Sequence, residues 1–130
     1  MEKPKQIYEL LLDNINQSQK IERLVLGQVW TVCQTGHSGL AMSPPMASRT
    51  LPWAGTLQGK TLAELSSWLT DWDFFKATVG LSAVNCSLNS MQTLAGTILE
   101  PENGKANLAV FDYFFPKIKD KKIVVIGHYP

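Results

Sequence analysis

Histidine and cysteine are scarce in this chain. Its 130 residues contain two of each: His37 and His128, Cys33 and Cys86. Structural zinc sites normally draw three or four ligands from recognisable spacings, and the sequence has no such spacing. No Gly-x-Ser-x-Gly elbow frames a serine, so a Ser–His–Asp triad has no support. An excess of one charge is also missing: 12 Lys and Arg stand against 11 Asp and Glu, for a net charge of +1. That balance excludes a broad electrostatic footprint for nucleic acid or an anionic membrane. The local cluster Lys117, Lys119, Lys121 and Lys122 reads as a solvated turn. No apolar run approaches the roughly 20 residues that span a bilayer, and no apolar h-region follows Met1-Glu2-Lys3-Pro4-Lys5. The expectation is a cytoplasmic protein with no nucleic-acid or membrane partner, in which both cysteines are free thiols.

What is present is globular in character, with 45% hydrophobic and 18% charged residues. A chain of this length holds one domain comfortably and two poorly. Ile7, Leu11 and Ile15, with Tyr8 and Leu12 beside them, predict an amphipathic helix over 5–18. Residues 24–33 read as one strand, with Leu24, Leu26, Trp30 and Val32 on one face and Val25, Val29, Thr31 and Cys33 on the other. A strand apolar on both faces belongs in the middle of a sheet. Gln34 to Gly39 is turn chemistry, and Leu40-Ala41-Met42 returns as an antiparallel partner.

Residues 43–59 carry Pro44, Pro45, Pro52, Gly55 and Gly59, which exclude a central strand. Trp53 is expected to dock this loop on the core. Thr61-Leu62-Ala63-Glu64 is a capping box that opens a short helix to about Leu69. Asp71 or Asp73 caps the next helix, over 74–91. That helix carries Ala77, Gly80, Ala83, Val84, Ser87 and Leu88, with Asn85 in the middle of a small-residue face. The pattern predicts close approach to the sheet. Gly80 in a helix interior costs about 1 kcal/mol against alanine, so some neighbour should require it. Glu100 to Lys105 reads as a domain boundary, and Asn107 caps a helix with Leu108, Phe111 and Phe115 that Pro116 ends.

Two apparent motifs fail or stay thin. Gly55 to Thr61 looks like a phosphate-binding loop, but three residues separate its glycines where four are needed. Cys33 and His37 both lie at the Gln34–Gly36 turn and are candidate metal ligands. Cys86 and His128 complete a set only if the fold brings them together. The stretch Ile123-Val124-Val125-Ile126-Gly127 has the form of a strand buried on both faces. In open α/β sheets the turn after such a strand is where ligands bind, which makes Gly127 and His128 candidates. An imidazole there can bind a metal or move a proton.

Several segments together resemble one prokaryotic family. They are Leu26-Gly27-Gln28-Val29-Trp30-Thr31-Val32, Gly39-Leu40-Ala41, Gly80-Leu81-Ser82-Ala83-Val84-Asn85-Cys86 and Lys122 to Pro130. In this order they resemble the proteins described as "putative heavy-metal chelation". The third looks like that family's Gly-Leu-Ala-Ala-Ile-Asn-Ala helix. The last looks like the Val-Gly-His-Phe-Pro opening of its second domain.

The resemblance implies an α+β fold, with an enolase-N-terminal-like small antiparallel sheet packed on helices over 1–104. Residues 105–130 would begin a truncated Rossmann-like domain. It further implies ligand contacts at Asn85, Gly127 and His128, and a divalent or heavy-metal ion as cofactor. The partner would be a separate Rossmann-like chain, or a second copy paired through the terminal strand. The functional expectation is a metal- or small-ligand-binding half-protein. The alternatives are a non-catalytic assembly module and the N-terminal part of an enzyme whose catalytic groups lie in a missing domain.

Overall fold

A computed structural model describes residues 4–47, 49–89 and 109–124, with side chains from residue 6 and, in the last segment, from residue 111. The chain divides into two compact units, Met1–Leu94 and Ala95–Pro130. The first contains α1 (Pro4–Asp13), β1 (Arg23–Leu26), β2 (Trp30–Gln34), β3 (Ser38–Met42), α2 (Leu62–Ser66), a 3₁₀ turn (Ser67–Thr70) and α3 (Phe74–Leu88). The described part of the second is α4 (Ala109–Ile118) and the residues after it. The fold is α+β: the three strands form one antiparallel sheet in the order β1-β2-β3.

The expected single strand over 24–33 is two strands. Gly27 is the reason: its N–H donates to the Trp30 carbonyl at 2.9 Å, closing a tight turn between β1 and β2. The turn also regroups the faces. Leu24 pairs with Cys33 and Leu26 with Thr31, while Val25 pairs with Val32. Leu24 and Leu26 therefore share the inner face with Thr31 and Cys33, and not with Trp30 and Val32. On β3, Gly39 and Ala41 join the inner face opposite Cys33 and Thr31. Because side chains alternate along a strand, this register sends Val25, Trp30, Leu40 and Met42 outward, and all four are exposed.

α3 covers the inner face. Asp73 caps it, accepting from the Phe75 N–H at 3.0 Å, as its sequence position predicts. The Thr61–Glu64 capping box opens α2: the Thr61 hydroxyl accepts from the Glu64 N–H at 3.1 Å, and the Glu64 carboxylate accepts from the Thr61 N–H at 2.7 Å. Leu62, Leu65, Val79, Ala83 and Val84 form the middle of the core with Ile15, Ile21 and Leu57. Full burial of a leucine such as Leu62 or Leu65 stabilises by about 1.5–3 kcal/mol. The loop over 43–59 is held by Trp53, whose ring meets Trp68 edge-on at 5.4 Å, and by the buried Leu57. α1 is shorter than its apolar period suggests, ending at Asp13, and packs through Leu11 and Leu12.

Two glycines let backbones touch. A Cβ at Gly80 would lie 2.3 Å from the Leu69 nitrogen, so the neighbour that requires Gly80 is the 3₁₀ turn. A Cβ at Gly39 would lie 2.1 Å from the Cys86 nitrogen and 2.2 Å from the Ser82 carbonyl oxygen. Strand β3 and helix α3 thus meet main chain to main chain.

In the second unit, Pro116 does not end the helix. α4 runs on to Ile118, and the Lys119 N–H still donates to the Phe115 carbonyl at 3.2 Å. Only the bond that the Pro116 nitrogen would have made is lost. The stop comes at Asp120, whose φ of 63° is the left-handed conformation that Asp tolerates. Ile123 and Val124 are exposed and in no strand. The remainder of the expected terminal strand, the boundary at 104/105 and the Asn107 cap lie outside the described residues.

The Gly39 contact makes a sharp expectation. Gly39→Ala should destabilise by about 3 kcal/mol or more, because the new methyl overlaps main-chain atoms that cannot rotate away. Gly55→Ala has open space and strains only its φ of 80°, so it should cost about 1 kcal/mol. Urea denaturation of the two variants checks the order; equal losses would mean that α3 does not press on β3.

Candidate functional site

The β2–β3 hairpin turn lies against the C-terminal half of α3, and most of the candidate residues of the first unit gather there. β3 is an edge strand, so its outward carbonyls need partners. α3 supplies them one turn apart: Asn85 Nδ2 donates to the Leu40 carbonyl at 2.7 Å, and Asn89 Nδ2 donates to the Ser38 carbonyl at 3.1 Å. Close approach at Gly39 is what brings these short amides within reach. Asn85 is half-buried, with its rotamer set by this bond.

Below the asparagines, inside the interface, the two cysteines meet. Cys33 on β2 and Cys86 on α3 are both wholly buried free thiols, and each is the largest influence on the other's ionisation. Cys86 also contacts the Thr35 hydroxyl at 3.5 Å and the His37 main-chain carbonyl at 3.3 Å. Thr35 is in turn held by Gln19, whose Nε2 donates to its hydroxyl at 2.8 Å. The Thr35 N–H closes the turn on the His37 carbonyl at 2.8 Å.

The two thiols are shifted in opposite directions. The Cys33 S–H supports the Cys86 thiolate, which lowers Cys86 to about 6; burial opposes this, and Thr35 and the nearby His37 assist it. The same bond, with burial and the adjacent negative charge, holds the Cys33 proton far above the ordinary thiol value of 9.0.

Cys33 and His37, paired in the sequence as candidate metal ligands, therefore play different parts. Cys33 turns inward to Cys86, while half-buried His37 reaches the cluster through its carbonyl. Gly127 and His128 lie outside the described residues. Among the described residues no group of three or more His, Cys, Asp or Glu is arranged to hold a metal ion. Thr35 and Asn89 carry no motif that sequence reading could have found. The one available signal was Gly39 itself, a glycine inside a strand pattern, which marks close backbone approach. A separate open groove of about 720 Å³, walled by Tyr8, Met42, Met46, Phe74 and Leu81, is mainly apolar and holds neither the thiols nor Asn85.

A family model described as "Putative heavy-metal chelation" (DUF4213) matches residues 8–88. The chain belongs to this family. The matched segment runs from α1 to the end of α3, so the heavy-metal chelation match includes Asn85 and both cysteines and stops short of Gly127 and His128. No curated protein matches the chain. Among solved structures, a protein of unknown function from the DUF364 family of Desulfitobacterium hafniense shares the fold with a TM-score of 0.73 at 24% identity. The alignment covers 96% of this chain and 48% of that one, so this chain spans about half the length of the solved protein it matches. No helix among the described residues is long and apolar enough to cross a membrane.

The opposite shifts of the two thiols set a pH dependence. Between about 6 and the ordinary 9.0, the unfolded chain holds a proton on Cys86 that the folded chain has lost, so stability rises with pH. Above 9.0 the unfolded Cys33 ionises while the folded one stays protonated, and stability falls. Urea midpoints of wild type minus Cys86→Ala should peak near pH 9. A flat difference would mean that the two thiols do not interact.

Proposed function

We propose that this chain is a metal- or small-ligand-binding half-protein of the heavy-metal chelation family, with Asn85, Gly127 and His128 as its ligand contacts. The observation that carries this reading is where the family match falls. It covers the unit in which Asn85 is locked onto the edge of β3, in a chain half as long as a solved protein of the same fold. With its Nδ2 committed to the Leu40 carbonyl, the Asn85 amide offers its Oδ1 as a fixed acceptor, the pre-organised kind of contact that binding sites favour. A glycine at 127 leaves room for close approach, and the His128 imidazole supplies a donor for a divalent ion. The domain architecture in this reading is an enolase-N-terminal-like domain over 1–104 and the start of a Rossmann-like domain over 105–130. Its partner is a separate Rossmann-like chain.

Light scattering with metal analysis of the same fractions tests the reading, using Zn(II), Ni(II) and Co(II). A first-row ion should be retained in a one-to-one complex with a Rossmann-like domain of the family and lost at least roughly 10-fold with His128→Ala. Retention unaffected by His128→Ala, or no complex, would overturn it.

One observation favours a second reading, an assembly module. The outer row Val25, Val32 and Leu40, with Trp30 and Met42 beside it, is an apolar surface on a small sheet. Single exposed apolar residues are ordinary, but contiguous ones mark contact surfaces. In this reading a second copy covers the face, and Leu40→Lys should turn a dimer into a monomer with the fold retained by circular dichroism. A chain that is monomeric at every concentration removes this reading.

A further inference from the structure

The pairing of Cys33 with Cys86 has no part in the Asn85–His128 reading. Both thiols are wholly buried, on elements that cannot drift apart. Gly39, the register partner of Cys33, places β3 against the main chain of Cys86 itself. Asn85 and Asn89 then fix α3 along β3 through the Leu40 and Ser38 carbonyls. The two cysteines are thus carried into one buried layer by main chains held on both sides. Donor sets held in this way lose little entropy when they take a ligand.

The donor chemistry selects the ligand. Thiolate sulfur prefers soft ions. A structural zinc needs four ligands, and among the described residues no third His, Cys, Asp or Glu is grouped with this pair. Among the described residues the ion would meet two sulfurs alone. Charge narrows the choice further, because a buried net charge is costly. Two thiolates around a monovalent ion leave one negative charge in the core, whereas two thiolates around a divalent ion leave none.

We propose that Cys33 and Cys86 form a two-sulfur site for a soft divalent ion of the mercury(II) kind, entered by opening of the Gln34–Ser38 turn. The Cys33 S–H bond, which holds the pair's remaining proton, breaks and that proton passes to water. Two sulfur–metal bonds form and no electron is transferred. The entrance is the hairpin turn because Thr35 and His37 are the groups that cover Cys86. The turn is held by the Gln19–Thr35 bond and the Thr35–His37 main-chain bond, so its opening is a local event of the kind that precedes global unfolding.

The test uses the whole chain, reduced and without oxygen, with Hg(II) added below one equivalent in the presence of excess glutathione. Expected is one ion per monomeric chain, a sulfur-to-mercury charge-transfer band, and protection of both cysteines from alkylation as read by mass spectrometry. Cys33→Ala and Cys86→Ala should each weaken retention by more than the roughly 100-fold that loss of an outer-shell partner costs. Zn(II) and Ag(I) should not displace the ion. Three results overturn the site: one cysteine remains open to alkylation with the ion bound, retention survives either substitution, or the ion enters only after urea unfolds the chain. The alkylation readout uses the unmodified chain, so the conclusion stands even where a variant fails to fold. The Asn85–His128 reading fails or holds separately, since it rests on first-row ions, a second domain and His128.

Discussion

Main chain meets main chain where β3 passes α3 at Gly39, with no side chain between them. Ordinary helix-on-sheet packing keeps a layer of side chains between the two backbones; here the layer is missing for one turn. The composition of α3 follows from this. Its sheet-facing positions are Ser82, Ala83 and Cys86, small enough to let the strand in, and its opposite contact is Gly80 against the 3₁₀ turn. The helix is held between two backbone contacts, and its hydrophobic stabilisation comes mainly from Phe75, Val79 and Val84 and the leucines of α2. Removal of the space at Gly39 would therefore disturb the sheet, the edge carbonyls and the thiol pair together.

The same approach settles how the edge of the sheet is protected. An open strand edge is a template for unwanted pairing. In β3 the outward carbonyls of Ser38 and Leu40 are taken by two asparagines of α3. A longer gap would need longer side chains, with more rotamer entropy to lose. The short amides thus serve as clamps, and the one at residue 85 is also the polar group that the family match and the ligand reading share. The soft donors sit one layer deeper. The amide of Asn85 at the surface and the buried thiol of Cys86 beneath it belong to one helix.

Much of the local structure was legible because its causes are local. The Thr61–Glu64 box and the Asp73 cap are each decided within a few residues and appear as expected. The hairpin into Leu40-Ala41-Met42 and the docking of Trp53 likewise follow from turn chemistry and apolar content. Sequence and structure differ where two local rules compete. The apolar run over 24–33 reads as one strand, although one hydrogen bond from Gly27 to the Trp30 carbonyl is enough to break it and exchange its faces. Pro116 reads as a stop, although a proline removes only one helical hydrogen bond and leaves the next turn intact.

By itself the sequence determined the α+β class, the caps, the small-residue character of α3 and the family resemblance, since periodicity, capping chemistry and short motifs act between near neighbours in the chain. The tertiary structure alone decided which faces those residues share. Cys33 and Cys86 lie far apart in sequence, each beside other candidate partners, and nothing local joins them. They meet because Gly39 admits α3 to the sheet, and Asn85 meets the Leu40 carbonyl for the same reason. A contact of that kind depends on the distance between two backbones, which no single segment encodes.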